Sequence, residues 1–216
     1  MRAGSVVVFL GPSLERETAR AILDADYRPP AARGDIAKAV REGARIIVLI
    51  DGVFFQECAV AHRELLFALS NDVRVIGASS MGALRAAELD TLGMEGVGLV
   101  YERYKRGELV SDDEVALLFD PETFQPRSEP LVNIRYNLEH AAAKGIIDQK
   151  MKDDLIAIAR SLYYPERDFE SLIARAEAEL NADLTRLRAF LQSERWDVKR
   201  EDAIEALKTV REEIGT

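Results

Sequence analysis

Ser79 and Ser80 stand where a short apolar segment, Val73 to Ala78, runs directly into an alanine-rich one ending at Glu88. A hydroxyl on a sharp strand-to-helix turn stands clear of the backbone, and the first amides of the helix point at any oxyanion that forms beside it. The chemistry this arrangement suits is acyl transfer through a serine nucleophile. Small residues two before and two after the serine let such a turn close. Ser80 has Ala78 and Gly82 there, whereas Ser79 has Gly77 and the bulky Met81, so Ser80 ranks first. Serine is equally a preferred helix N-cap, and alanine at the first flank leaves that structural reading open.

A serine nucleophile needs a base, and the chain has two histidines, His62 and His140. His62 is preferred because it lies early in the helix after the Asp51 loop, at the same sheet edge as Ser80. Its shared helical face with Leu65, Leu66 and Leu69 leaves a place at the rim of the core open. Asp51 is preferred over Glu64 to orient the imidazole, since Glu64 lies two residues along the helix and points away. A loop or N-cap role is the alternative for Asp51. The Met81 amide is the natural first oxyanion donor, with Gly11 or Gly52 supplying the second. Gly11-Pro12-Ser13 is otherwise a tight exit turn in which Ser13 caps the next helix. Arg85 and Glu88, three apart, can pair with each other, and Arg85 could also meet an anionic substrate.

The elements that must position these residues follow from apolar periodicity. Ser5 to Leu10, Arg45 to Ile50 and Val73 to Ala78 are near-continuous apolar runs, as in strands buried on both faces of a parallel sheet. A short strand is expected at Asp26 to Arg28. Helical patterns fall at Leu14 to Leu23, at Asp35 to Glu42 with Asp35 as N-cap, and from roughly Glu57 to Leu69. Alternation at this spacing predicts an α/β fold with a doubly wound, mostly parallel, Rossmann-like sheet. Ligands of such a sheet bind beyond the carboxyl ends of the strands, which selects the loops Gly11 to Ser13, Asp51 to Phe55 and Ala78 to Met81. After about Arg127 the chain becomes helical, giving an α/β core domain over 1–126 and a helical region over 127–216. Between them, Val115 to Phe119 and Leu131 to Ile134 are expected to form a small antiparallel excursion. The last sixty or so residues read as solvated amphipathic helices.

Composition narrows the function classes. The 216 residues carry a formal net charge of −9 with basic residues interleaved among acids, which argues against nucleic acid as a partner. No apolar run is long enough for a membrane helix, and the N-terminus begins as a strand and not as a signal sequence, so a cytoplasmic location is expected. The one cysteine, Cys58, has no activating neighbour and is read as helix filler. Asp112-Asp113-Glu114 lacks further ligands at regular spacing and is read as an entry cap, so neither metal nor cofactor is expected. Glycine-rich phosphate-binding sequences are absent.

The assembled segments resemble the TfuA-like family. They are Gly11-Pro-Ser-Leu14, Pro29-Pro-Ala31 with Gly34-Asp-Ile36, Leu49-Ile-Asp-Gly-Val-Phe54, His62-Arg-Glu64 and the block Gly77 through Leu89, followed by Gly93-Met94, Gly96-x-Gly98 and Asp112 to Val115. The resemblance covers roughly residues 5 to 120. It implies a partner of YcaO proteins, which use ATP to activate a peptide amide so that sulfide can replace its oxygen. It further implies hydrolysis of the C-terminal thiocarboxylate of a ThiS-like sulfur carrier, releasing sulfide for a precursor peptide or protein substrate. On that reading Ser80 attacks, His62 takes its proton, Asp51 orients the ring, and Arg85 or Ser79 recognises the anionic terminus. The reading requires Ser80 to be held outward with the His62 ring in reach. A non-catalytic adaptor joining YcaO to its substrate, and a small-molecule or nucleotide-binding module, are the alternatives.

Overall fold

The structure is a computed structural model that describes residues 5–54 and 58–215. Phe55 and Glu57, expected to end the Asp51 loop and to begin a helix, lie outside the described residues. The chain divides into two compact units, Met1–Asp112 with Lys199–Thr216, and Asp113–Val198.

In the first unit β1 (Val6–Phe9), β2 (Asp26–Arg28), β3 (Ile46–Leu49), β4 (Arg74–Ala78) and β5 (Glu95–Val97) form one sheet. The order is β2-β1-β3-β4-β5 and every pairing is parallel. The intervening helices are α1 (Arg16–Ile22), α2 (Asp35–Arg41), α3 (His62–Ser70), α4 (Met81–Leu89) and α5 (Leu99–Lys105). Successive strand residues face opposite ways, and both sides are apolar because both are covered. Val7, Phe9, Ile47, Leu49 and Val75 pack with Ile36 of α2, Leu65 of α3 and Met81 of α4. Val6, Val8, Ile46, Val48 and Ile76 pack with Ala19 of α1 and with Ala203, Ala206, Leu207 and Val210. That last stripe, spaced three, four and seven residues apart, belongs to α10 (Val198–Ile214). The fold is therefore doubly wound, as the alternation of patterns predicts.

The units divide the chain differently from the expected boundary after 126. The segment read as a solvated terminal helix returns its alanine-lined stripe to the sheet. It also brings Asp202, whose carboxylate accepts the Leu99 and Val100 amides at 2.9 and 2.8 Å and closes the start of α5. Gly98 leaves room for it, since a Cβ there would collide with that carboxyl. Burial pushes the Asp202 carboxyl up to about 7, against the two amides and with help from Glu205 and Glu102.

The second unit contains α6 (Leu131–Ala143), α7 (Gln149–Ser161), α8 (Phe169–Leu180) and α9 (Thr185–Glu194) around a core that includes Leu138, Leu155, Leu172 and Leu187. Asp148 and Asp168 cap α7 and α8, each accepting an amide at 2.7 Å. The antiparallel excursion reduces to a single Phe119 to Pro126 bridge, and Leu131 to Ile134 is the first turn of α6, entered through Pro130. Among the described residues no helix is long and apolar enough to cross a membrane.

Candidate active site

The Gly77–Gly82 turn joining β4 to α4 is drawn unusually tight. A Cβ on Gly77 would overlap the Gly82 carbonyl, and one on Gly82 would overlap the Leu49 carbonyl of the neighbouring strand. The two glycines thus press the helix start against β3 and β4. Within that constraint the Ser80 amide donates to the Ala78 carbonyl at 2.7 Å, closing a three-residue turn centred on Ser79, whose φ is +67°. This is the γ-turn of the strained hand, which residues with a Cβ seldom adopt. Ser79 carries a second penalty, because its hydroxyl is buried with no hydrogen-bond partner among the described residues. The left-handed backbone and the unanswered hydroxyl each cost roughly 1–3 kcal/mol, and such strain concentrates where function needs it.

Ser80 occupies the N-cap position of α4 and makes no side-chain cap hydrogen bond. The capping reading therefore loses its physical basis. The Gly82 amide donates to the Ile50 carbonyl at 3.2 Å, while the Met81 amide has no hydrogen bond among the described residues. Gly52 lies against the Met81 side chain, and its amide likewise has none. Those two amides remain open to another acceptor.

Gly11 does not. Its amide donates to Asp51 at 2.8 Å, the Ser13 amide donates to the same oxygen at 3.1 Å, and the Ser13 hydroxyl donates to the other at 2.7 Å. The order of strands reverses between β1 and β3, and the loops leaving those strands form the crevice where this kind of sheet takes an anionic ligand. Here the Gly11 and Ser13 donors of that crevice are spent on the chain's own Asp51 carboxylate, which is 2% exposed. Asp51 is a structural clamp between two exit loops. Ser13 belongs to that clamp and does not cap α1, whose N-cap is Glu15.

His62 goes elsewhere as well. Its Nε2 lies 2.8 Å from Glu88 Oε2, the same oxygen that receives Arg85 at 2.6 Å, and Arg85 Nε also donates to the Val60 carbonyl. Glu88 is eight residues beyond Ser80, roughly 12 Å along the axis of α4 at 1.5 Å per residue. No hydrogen bond joins Ser80, His62 and Asp51 to one another among the described residues. Asp51 is held by Gly11 and Ser13, the half-exposed His62 is held by Glu88, and Ser80 is only 2% exposed. Arg85 and Glu88 pair as their spacing suggests, but nothing in the sequence indicated that His62 joins them. A cavity of 490 Å³ adjoins this cluster, lined by Phe54, Met81, Arg85, Glu88 and Val110 among others.

Cys58 is exposed in the turn before α3, not within a helix. Glu64 accepts the Gly34 amide at 2.7 Å, so it too faces away from His62. Asp35 falls at the first helical position of α2, after Gly34 at the N-cap. Asp113 and Glu114 are paired with Arg167 and Arg135.

A family model described as TfuA-like protein matches residues 51–168, more than half of the chain. The chain belongs to the TfuA-like family. The match begins at the clamp residue Asp51, contains the whole serine turn and the His62, Arg85 and Glu88 cluster, and runs on through α7. TfuA-like proteins are associated with YcaO proteins in the thioamidation of peptide backbones. No curated protein matches the chain.

Proposed function

We propose that this TfuA-like protein is a hydrolase that cleaves the C-terminal thiocarboxylate of a ThiS-like sulfur carrier and so supplies sulfide for YcaO-dependent thioamidation of a precursor peptide or protein. The single observation that carries the reading is the serine turn. It combines a left-handed serine, an unanswered buried hydroxyl, an N-cap serine that does not cap, and open amides at Met81 and Gly52. A serine of the Ser79-Ser80 pair attacks the thiocarboxylate carbon while the two amides receive the charge that gathers on its oxygen. The departing sulfur takes the serine proton and leaves as hydrosulfide. Water then cleaves the ester, returning the serine and the carrier carboxylate.

This route needs no histidine at the serine, in keeping with the tether of His62 to Glu88. Arg85, Glu88 and His62 instead line or flank the cavity beside Met81, where they suit recognition of the carrier's terminal segment. Both serines are buried in the free protein, so engaging the carrier requires the turn to become accessible. The test is sulfide release from purified thiocarboxylated carrier by the wild-type protein and by the double variant Ser79→Ala, Ser80→Ala. Loss of release in a folded double variant is expected, and release at the wild-type rate refutes the reading.

The covered hydroxyls favour one rival. In an adaptor that joins YcaO to its substrate, the serines only shape a turn. It predicts a stable complex with the carrier or YcaO and no sulfide release by this protein alone or in that complex.

A further inference from the structure

We propose that the cavity beside Met81 takes about three residues of an extended chain, and that Arg85 binds the backbone carbonyl two residues before the reacting one. The inference rests on the hydrolase reading and adds to it the way the carrier's terminal segment is held. Met81, Leu84, Arg85 and Glu88 line the cavity, with Phe54 and Val110 among the residues that complete its walls. At about 100° per residue the four helical positions fall on one face of α4. A space of 490 Å³ is of the size that holds a small ligand and not a folded domain, so only a segment of a protein substrate enters.

Length decides how much of it enters. From Met81 to Glu88 the helix rises about 10 Å at about 1.5 Å per residue, the span of about three residues of extended chain at about 3.3 Å each. An extended chain alternates, so carbonyls two residues apart point the same way and lie about 6.6 Å apart. Arg85 is four residues beyond Met81, about 6 Å along α4. A chain whose reacting carbonyl faces the open Met81 amide therefore brings its carbonyl two residues back to Arg85. The guanidinium is prepared for it. Its Nε donates to the Val60 carbonyl, its Nη1 donates to Glu88, and the side chain is 13% exposed. Nη2 makes no hydrogen bond among the described residues. A donor already held by two bonds and largely shielded from water loses little freedom on binding, and its bond to a carbonyl is stronger than in water. The tie to Glu88, three residues further from the turn, suits a role in holding the chain and not in breaking its last bond.

The experiment measures sulfide release by the full chain from synthetic peptide thiocarboxylates of one to five residues with the carrier's terminal sequence, and calorimetric binding of the matching five-residue carboxylate. The value of kcat/KM is expected to rise up to about three residues and to level off beyond. Arg85→Gln should lower kcat/KM for the five-residue thiocarboxylate about 10- to 100-fold through KM, with kcat within about threefold. An alkene in place of the amide whose carbonyl Arg85 receives should do the same to the wild type, and the two changes together should cost no more than either alone. Val110→Trp, at a position 78% exposed, should narrow the cavity without disturbing the core and weaken the longer substrates most. A one-residue thiocarboxylate cleaved as efficiently as the five-residue one, or an unchanged KM in Arg85→Gln, overturns the proposal and leaves the hydrolase reading standing. Wild-type protein that releases sulfide from neither peptide nor carrier overturns the hydrolase reading, and calorimetry then decides the cavity. Binding of the five-residue carboxylate that weakens about tenfold or more in Arg85→Gln upholds it as a peptide site, and equal or absent binding overturns it.

Discussion

The two units differ in how completely they answer their buried polar groups. In the helical unit each of them is answered. Glu114 receives Arg135 in a two-pronged pair at 2.7 and 2.8 Å, and Arg167, 1% exposed, meets Asp113 and the Ala159 carbonyl. Asn133 and Asn137 bind Glu129, Asp197 and the Trp196 backbone, and the Ser128 hydroxyl accepts the Leu118 amide. Polarity there is spent on fixing the packing of helices. In the α/β unit the Asp51 clamp follows the same rule, but at Ser79, the first residue after β4, it is broken in both backbone and side chain. Of the two buried hydroxyls without a partner among the described residues, those of Ser5 and Ser79, only that of Ser79 sits on a left-handed backbone, which supports reading the β4 to α4 turn as a binding place.

The largest expected effect strikes the geometry that makes the turn possible. Gly82→Ala places a methyl into the Leu49 carbonyl, and equilibrium unfolding in urea should show a loss of about 3 kcal/mol or more, or no folded protein at all. Arg167→Ala should destabilise by about 3 kcal/mol, since it strands buried carbonyls and the Asp113 carboxylate. Sulfide release per folded molecule should nevertheless be unchanged, and a loss of release there would erase the contrast between the units.

A milder effect is set by pH. Asp202 titrates near 7 in the folded chain against an ordinary value of 3.8, so between those values the folded state holds a proton that the unfolded chain has given up. Its contribution to stability is present in full below pH 4 and is lost as pH rises toward 7, with a slope of at most about 1.4 kcal/mol per unit for one proton. Urea titrations at a series of pH values should show that slope in the wild type and a flatter profile in Asp202→Asn. The smallest expected effect is on rate. His62→Ala should keep sulfide release within about tenfold, whereas loss of a triad histidine ordinarily costs 10⁴-fold or more, roughly 5 kcal/mol.

The sheet was legible where burial acts on both faces. The runs containing Val6–Phe9, Ile46–Leu49 and Arg74–Ala78 are apolar without alternation, and that pattern has one common cause. Glu95–Val97 carries a charge and a glycine in three residues, and its pairing to β4 comes from position, not from composition. Leu131 to Ile134 reads as strand because its branched residues sit after a proline, yet Pro130 is well suited to begin a helix, and the apolar face continues to Leu138 and Ala141. The terminal helix was readable as amphipathic but not as core, because nothing local says which surface an apolar stripe will meet.

At the site, the serine pair and its helix were readable from residue types alone. The partners of Asp51 were not, because Gly11 and Ser13 lie 40 and 38 residues away and the clamp exists only once β1 and β3 are side by side. The 26-residue separation hid the pairing of His62 with Glu88 in the same way. The left-handed conformation of Ser79 leaves no mark on composition, since a serine there looks like any other small turn residue.

Intact-mass measurement during the first seconds after mixing with thiocarboxylated carrier, without YcaO, tests the central claim most directly. The account predicts a transient species equal to protein plus carrier less hydrogen sulfide, appearing before free sulfide accumulates and absent from the variant lacking both turn hydroxyls. Sulfide released at full rate with no such species, and equally by that variant, would contradict it.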